Sequence, residues 1–194
     1  MLDNLKKYRI VLASNSPRRK ELLAGLGLEF TVRTKSGIDE SYPSTLVGDE
    51  IPQYISKKKS DAYLPELADD ELMITADTIV YCDGQVLGKP KDAADAKRML
   101  RMLSGKTHDV ITGVSITTKS LQHIFAVTSK VRFASLSDDE IDYYVTNYSP
   151  FDKAGAYGIQ EWIGYIAVEG LEGSYFNVMG LPVQRLYSEL KKIL

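Results

Sequence analysis

Residues 9–13 (RIVLA) run straight into Ser14-Asn15-Ser16-Pro17, and that junction constrains the chain more than any other stretch. A short apolar run that stops on small polar residues reads as a buried strand. Ser16 suits an N-cap, and Pro17 suits the first helical position, where its missing N–H costs nothing. The helix that follows runs to about Leu26, with Leu22, Leu23 and Leu26 on one face and Gly27 placed to end it. A strand delivered into a capped helix belongs to folds in which the two element types intermingle.

The rest of the chain keeps that alternation. Phe30, Val32 and Thr34 alternate as in a second strand. Residues 36–47 read as a loop and 48–63 as a helix entered near Pro52. Ile51, Ile55 and Ala62 share its apolar stripe, bordered by Lys58 and Lys59. Residues 72–81 form a strongly apolar strand interrupted by Asp77 and Thr78, and Asp83-Gly84 is a hairpin turn signal. Asp92 caps a helix whose Ala96, Met99, Leu100 and Leu103 follow the helical period. Two β runs come next, one through Val110, Thr112, Val114 and Ile116, the other through Phe125, Val127, Val131 and Phe133, with a turn near Leu121-Gln122. Ser137 and Glu140 form a capping box for a helix to about Asn147. Residues 164–168 read as a strand, and Gly180 precedes a final helix over 181–193. The predicted class is α/β with a mixed sheet.

Composition narrows the function classes. The 194 residues, 44% apolar and 26% charged, are enough for a packed domain. Twenty-four basic side chains against 26 acidic ones leave a net charge of −2, so no basic field exists to coat a nucleic acid. Cys82 is the single cysteine and cannot form an intrachain disulfide, which fits a reducing compartment. No stretch approaches the ~20 apolar residues that span a bilayer. Residues 10–13 are too short for the ~7–15-residue apolar core of a signal peptide. These features predict a cytoplasmic protein with neither membrane nor nucleic acid as partner.

Arg18 and Arg19 fall in the first turn of the first helix, where free N–H groups and the macrodipole already present positive charge. Each is misplaced there by roughly 0.3–1 kcal/mol unless an anion sits between them. The Ser14 and Ser16 hydroxyls, the helix amides and two guanidinium forks would converge on phosphate. A solvated arginine pair beside an ordinary cap is the alternative. Asp77 interrupts an apolar strand, so its carboxylate must be solvated, paired or metal-bound. Ligands in α/β sheets gather at the carboxyl ends of strands, although an aspartate can also simply start a turn. Lys59 borders an apolar helix face, where it can snorkel, and Lys89 is held in the Gly88-Lys89-Pro90 turn. Residues 152–160 form a small-residue loop with one aromatic. Its Gln160 can donate and accept together, as the imide edge of uracil or thymine requires, and a tight turn with a core Tyr157 is the plain alternative.

Two tempting signals fail. Ser104-Gly105-Lys106-Thr107 imitates the end of a P-loop, but position 100 is Leu100 and a β run follows where a helix is required. His108 and His123 lack ligand spacing with Cys82, which argues against structural zinc.

The blocks LASNSPRRKELLAGLG, ADTIV (76–80), LGKPKD (87–92), LSGKTHDVITGV (103–114), DKAGAYGIQ (152–160) and VMGLPV (178–183) resemble those of the Maf family of nucleoside triphosphate pyrophosphatases, in order and over nearly the whole chain. The resemblance implies an inosine-triphosphatase-like (Maf/Ham1) architecture: an elongated mixed sheet flanked by helices, one domain with two lobes around a central cleft. It implies hydrolysis of a nucleoside triphosphate to the monophosphate and pyrophosphate as nucleotide-pool house-cleaning. A Mg²⁺ or Mn²⁺ cofactor and a homodimer come with it. Asp77 matches the family's catalytic proton acceptor, yet a free Asp, with a pKa of about 3.9, is a feeble base, so Asp77 can equally be a metal ligand. Lys59 and Lys89 match lysines that neutralise the triphosphate, beside Ser14, Ser16, Arg18 and Arg19 as phosphate ligands. Asp39 and Glu40 match an acidic pair in a variable loop and are further metal-ligand candidates. Arg18, Thr78 and Gln160 match the markers of the thymidine/uridine branch, which implies dTTP and UTP as substrates. A 7-methyl-GTP branch reads SPWR with another residue after the aspartate. Glu161-Trp162 departs from the Gly-Arg that many members carry after the glutamine. The competing readings are a 7-methyl-GTP pyrophosphatase and a nucleotide-sensing regulator of cell division without significant turnover.

Overall fold

The computed structural model describes residues 2–194, and its first junction forms as the sequence predicts. Strand β1 (Arg9–Leu12) leads to helix α1 (Pro17–Ala24) through Ser16, whose Oγ accepts from the Arg19 amide at 3.4 Å. Gly25 closes α1 slightly before Leu26. Strand β2 (Phe30–Val32) pairs with β1 in parallel, and β1 pairs in parallel with β3 (Glu71–Cys82). Helix α2 (Glu50–Tyr63) lies between β2 and β3 in sequence. Strand β4 (Gln85–Leu87) folds back antiparallel on β3 through Asp83-Gly84. Both turn residues have positive φ, 49° and 75°, the geometry of a tight hairpin.

The remaining elements are α3 (Ala93–Leu103), β5 (Thr107–Thr117), β6 (Gln122–Phe133), α4 (Asp138–Tyr148), α5 (Trp162–Ala167), β7 (Val168–Glu172), α6 (Tyr175–Met179) and α7 (Val183–Leu190). Together the strands make a seven-stranded mixed sheet in the order β2-β1-β3-β5-β6-β7, with β4 on β3. The fold is α/β, as predicted. The Ser137–Glu140 capping box is present, both of its hydrogen bonds made.

Two expectations are corrected. Residues 164–168 are not a strand: α5 occupies Trp162–Ala167, and the strand starts only at Val168. The cause is local backbone packing: a Cβ at Gly164 would stand 1.7 Å from the Ile159 carbonyl oxygen at the preceding turn, and only glycine lets that turn of helix close. The final helix is shorter than 181–193, because Pro182 starts it late and it ends at Leu190.

The chain divides into two compact units. The first comprises the chain up to Asp77, Thr112–Val127 and Gly180–Leu194. In it Val11, Ala13, Tyr63, Leu67 and Met73 pack together. Helix α2 lies against β5 at closest range: a Cβ on Gly113 would come within 2.2 Å of the Pro52 carbonyl. Small hydroxyls line this seam. Thr75 Oγ1 donates to the Ser56 carbonyl at 2.7 Å, and Ser60 Oγ meets Ser115 Oγ at 3.3 Å. The second unit comprises Thr78–Ile111 and Thr128–Met179. Its core joins Leu100, Leu103, Val131, Phe133, Ile141, Tyr144 and Ile163. Among the described residues no helix is long and apolar enough to cross a membrane.

Candidate active site

In the first unit, side chains from distant segments meet at Asp77. This residue lies in β3 and is only 8% exposed. Lys59 sits on α2 four residues after Ile55 and three after Ser56, both buried, so it borders the face that α2 presses inward. Lys59 Nζ donates to Asp77 Oδ1 at 2.8 Å and pairs with Glu40 Oε1 at 3.1 Å. One ammonium therefore bridges two carboxylates.

Arg19 completes the group. Its Nε donates to the Gly180 carbonyl at 2.8 Å and its Nη1 to the Ala76 carbonyl at 2.9 Å. Ala76 immediately precedes Asp77, so the guanidinium is anchored to backbone beside the carboxylate. Burial pulls the Arg19 pKa below its ordinary value; Asp77 pushes it back up, Arg18 adds to the lowering, and Glu40 opposes it. A guanidinium stays charged nonetheless. Lys59 and Arg19 thus lie beside the two carboxylates Asp77 and Glu40, and Arg18 adds positive charge next to Arg19. The excess positive charge suits a polyanion.

The two serines act as caps. Ser14 Oγ accepts from the Ser16 amide at 3.2 Å, and Ser16 Oγ holds the Arg19 amide. Each hydroxyl keeps its own hydrogen to donate. Asp39 is turned elsewhere. Its Oδ2 accepts from Lys58 Nζ and from the Ser41 hydroxyl, both at 2.6 Å, and its Oδ1 from the Ser41 amide at 2.9 Å. Lys58 and Ser41 hold its carboxyl well below the usual carboxylate range. Of the acidic pair, Glu40 reaches Lys59 and Asp39 goes to Lys58 and Ser41.

The donor set can be tested against a divalent cation. Mg²⁺ commonly takes one or two carboxylates and completes its shell with water and substrate phosphates. Asp77 and Glu40, converging on one positive centre, supply that pair. No group of three or more His, Cys, Asp or Glu that could form a protein-only cage occurs among the described residues.

The second unit carries Thr78, Lys89 and Gln160. Thr78 is half-buried, and Lys89 is exposed on its turn next to buried Pro90. The Gly155 amide donates to the Gly88 carbonyl at 3.1 Å, which ties that turn to the 152–161 loop. Gly155, at φ 69°, must be glycine: a Cβ would meet Val80 Cγ2 at 2.8 Å. Gln160 lines a pocket of about 320 Å³ with Ile159, Tyr165, Val168, Leu171 and Tyr175. Gln160 Oε1 is buried without a hydrogen-bond partner among the described residues.

Sequence reasoning passed over the residues that brace this loop. Tyr144 OH donates to Glu161 Oε2 and accepts from the Gly158 amide at 3.0 Å. Lys153, its side chain 10% exposed, pairs with Asp152 at 2.8 Å and Glu161 at 3.1 Å. The available signal was Lys153 itself, since a lysine among buried small residues calls for a carboxylate.

A HAM1 protein from Coxiella burnetii superimposes with a TM-score of 0.51 at 15% identity, over 95% of this chain and 99% of that one. The family model described as Maf-like protein matches residues 9–193, and the chain belongs to the Maf family. A dTTP/UTP pyrophosphatase of Phocaeicola vulgatus is 63% identical over 193 residues, covering the whole of both chains. One from Bacteroides thetaiotaomicron is 60% identical over the same span, again with both chains fully covered. Another from Christiangramia forsetii is 46% identical over 190 residues, 98% of this chain and 96% of its own.

Proposed function

We propose that the protein hydrolyses dTTP and UTP to the monophosphate and pyrophosphate, clearing these and modified pyrimidine triphosphates from the nucleotide pool. The observation that carries the reading is the Asp77–Lys59–Glu40 bridge beside the anchored Arg19. Full-length relatives named for this activity, at up to 63% identity, support it. A water oxygen attacks the α-phosphorus, the bond from that phosphorus to the bridging oxygen breaks, and pyrophosphate leaves. Lys59, Arg18 and Arg19 stabilise the charge that accumulates on the phosphates, as preorganised cations do in phosphoryl transfer. Lys89 adds to that neutralisation, and the Ser14 and Ser16 hydroxyls donate to phosphate oxygens. Asp77 takes the proton of the attacking water. Asp77 and Glu40 are also the residues that would hold Mg²⁺ or Mn²⁺. Such an ion, when bound, supplies Lewis-acid polarisation and a more acidic water. Arg18, Thr78 and Gln160 set the preference for pyrimidines, Gln160 by offering a donor and an acceptor to the imide edge.

We also read the protein as cytoplasmic and homodimeric. Tyr165, 85% exposed, lies with Ile166, Leu171, Tyr175 and Phe176 among the exposed apolar side chains of α5, β7 and α6, and such surface favours a partner copy. Incubation with a nucleotide panel and Mg²⁺ tests the activity: UTP and dTTP should release pyrophosphate and the monophosphate. Release of orthophosphate, or faster turnover of 7-methyl-GTP, would overturn the assignment.

A further inference from the structure

Helix α2 meets the strands of the first unit along one line of its surface. Pro52, Ser56 and Ser60, four residues apart, are buried and fall on one side of the helix. The Pro52 carbonyl lies where Gly113 of β5 leaves no room for a Cβ, which would come within 2.2 Å. Ser60 Oγ meets Ser115 Oγ, also of β5, at 3.3 Å. Between those two points the Ser56 hydroxyl turns back and donates to the Gln53 carbonyl at 2.9 Å. The Ser56 carbonyl faces β3 and accepts from Thr75 Oγ1 at 2.7 Å. Two of these contacts are to β5. The third, from Thr75, ties α2 to the strand that carries Asp77.

Thr75 and Asp77 stand two residues apart in β3 and so project from the same face of the strand. Their partners on α2, Ser56 and Lys59, stand three residues apart. The two contacts therefore follow one another in the same direction along both elements. The first is short and stiff: Thr75 is fully buried, and a β-branched side chain has few rotamers. The second is long and pliant. The Lys59 stem has four methylene groups, and its ammonium has Glu40 at 3.1 Å as well as Asp77 at 2.8 Å. Two carboxylates compete for that ammonium, and the placement of α2 along β3 decides how it is divided. Apolar packing is non-directional and sets that placement loosely; a hydrogen bond is directional and sets it closely. A valine at 75 would suit an apolar strand equally well, so the hydroxyl has another use.

We propose that Thr75 is a positioning residue: by holding the Ser56 carbonyl it sets α2 against β3 so that Lys59 keeps its ammonium on Asp77 and does not follow Glu40. For its effect on turnover the inference rests on the pyrimidine triphosphatase reading above, in which Lys59 stabilises charge on the phosphates. Thr75 acts only through the helix. A cation that works in the transition state loses effect steeply when misplaced, and a shift of about 1 Å is enough to matter.

The test takes the full chain and measures kcat and KM for UTP, the thermal midpoint, and the rate at which an amine-acylating reagent labels Lys59 in the folded protein, read by peptide mass spectrometry. Thr75→Val should lower kcat about tenfold, with KM within about threefold of the parent. It should also speed labelling of Lys59 about threefold relative to Lys57 and Lys58 on the same helix. Thr75→Ala should do the same, without placing a methyl group against the Ser56 carbonyl. Thr75→Ser keeps the donor and should restore both readouts. Ser115→Ala loosens the same helix at another contact and should leave kcat within about twofold of the parent. In a Lys59→Ala background, Thr75→Val should lower kcat no further. An unchanged kcat or an unchanged labelling rate in Thr75→Val and Thr75→Ala overturns the inference. So does an equal loss of kcat in Ser115→Ala, which would mean a general loosening of α2, or a further loss in the double variant. If the parent chain turns over no pyrimidine triphosphate, that reading falls, and the labelling rates alone decide whether Thr75 holds Lys59.

Discussion

Asp77 and Glu189 are both nearly buried carboxylates in the first unit, 8% and 3% exposed, and both meet cations, but they are partnered in different ways. Glu189 on α7 draws Arg185 at 2.6 Å and Lys192 at 2.9 Å from its own stretch of chain, and His123 meets its other oxygen at 3.0 Å. Burial alone would push its carboxyl up, but Lys192 and Arg185 outweigh burial and hold it at about 2. Asp77 has one ammonium, on Oδ1, and shares it with Glu40. The side chains gathered beside it come from α1, α2 and the loop before α2, far apart in sequence. A carboxylate that holds the fold together is saturated by its own cations. Asp77 instead shares a single ammonium with a second carboxylate, beside a guanidinium held on backbone carbonyls.

The largest expected effect exchanges these roles. Asp77→Asn should lower kcat for UTP by about 10²–10⁴-fold while leaving the urea midpoint nearly in place. Glu189→Ala should cost about 1–3 kcal/mol of stability, because the charge-assisted bonds from Arg185 and Lys192 are lost, with kcat of the folded fraction unchanged. If both variants lose both properties, the distinction fails.

A smaller effect concerns a buried group with no counter-ion. His108, 2% exposed, lies edge-on to Phe133 and Tyr157, and its Nε2 meets Tyr157 OH at 2.7 Å. Burial pushes its pKa down from 6.5 to about 4. Between those values the unfolded chain binds a proton that the folded chain refuses. Stability is therefore complete above pH 6.5 and falls by about 3 kcal/mol as pH drops towards 4. Unfolding free energies measured across this range should show that slope, and His108→Gln should flatten it. Glu189 acts lower: its contribution is present above 4.5 and fades as pH falls through about 2.

The smallest effect is for Asp39→Asn. Its bonds to Lys58 and Ser41 lie at the exposed surface, so turnover should stay within about twofold of the parent, whereas Glu40→Gln should lower it several times more. Initial rates at saturating UTP check this. A tenfold loss in Asp39→Asn would bring that residue into the reactive cluster.

What the sequence revealed follows from how local each cause is. The Ser16 cap with Pro17, the Asp83-Gly84 turn and the Ser137–Glu140 box are each settled within a few residues, and each forms as read. Asp77 was conspicuous because a charge broke an apolar run. Residues 164–168 look β-prone, and what requires glycine at 164 is the backbone path of the preceding turn, where the Ile159 carbonyl comes too close for a Cβ; residue types do not disclose that path. The same limit hid the part Arg19 plays. Its position at a helix start was legible; its grip on the Ala76 and Gly180 carbonyls, 57 and 161 residues away, was not.

That second grip carries a consequence for biosynthesis. Gly180–Leu194 returns to the unit that begins the chain, where Asn4 Nδ2 also donates to the Leu190 and Ile193 carbonyls at 2.9 and 2.8 Å. Every segment of the second unit therefore leaves the ribosome before the first unit has its last piece. The half translated first is the half completed last, and a nascent polypeptide stalled before Gly180 lacks the carbonyl that holds Arg19 Nε.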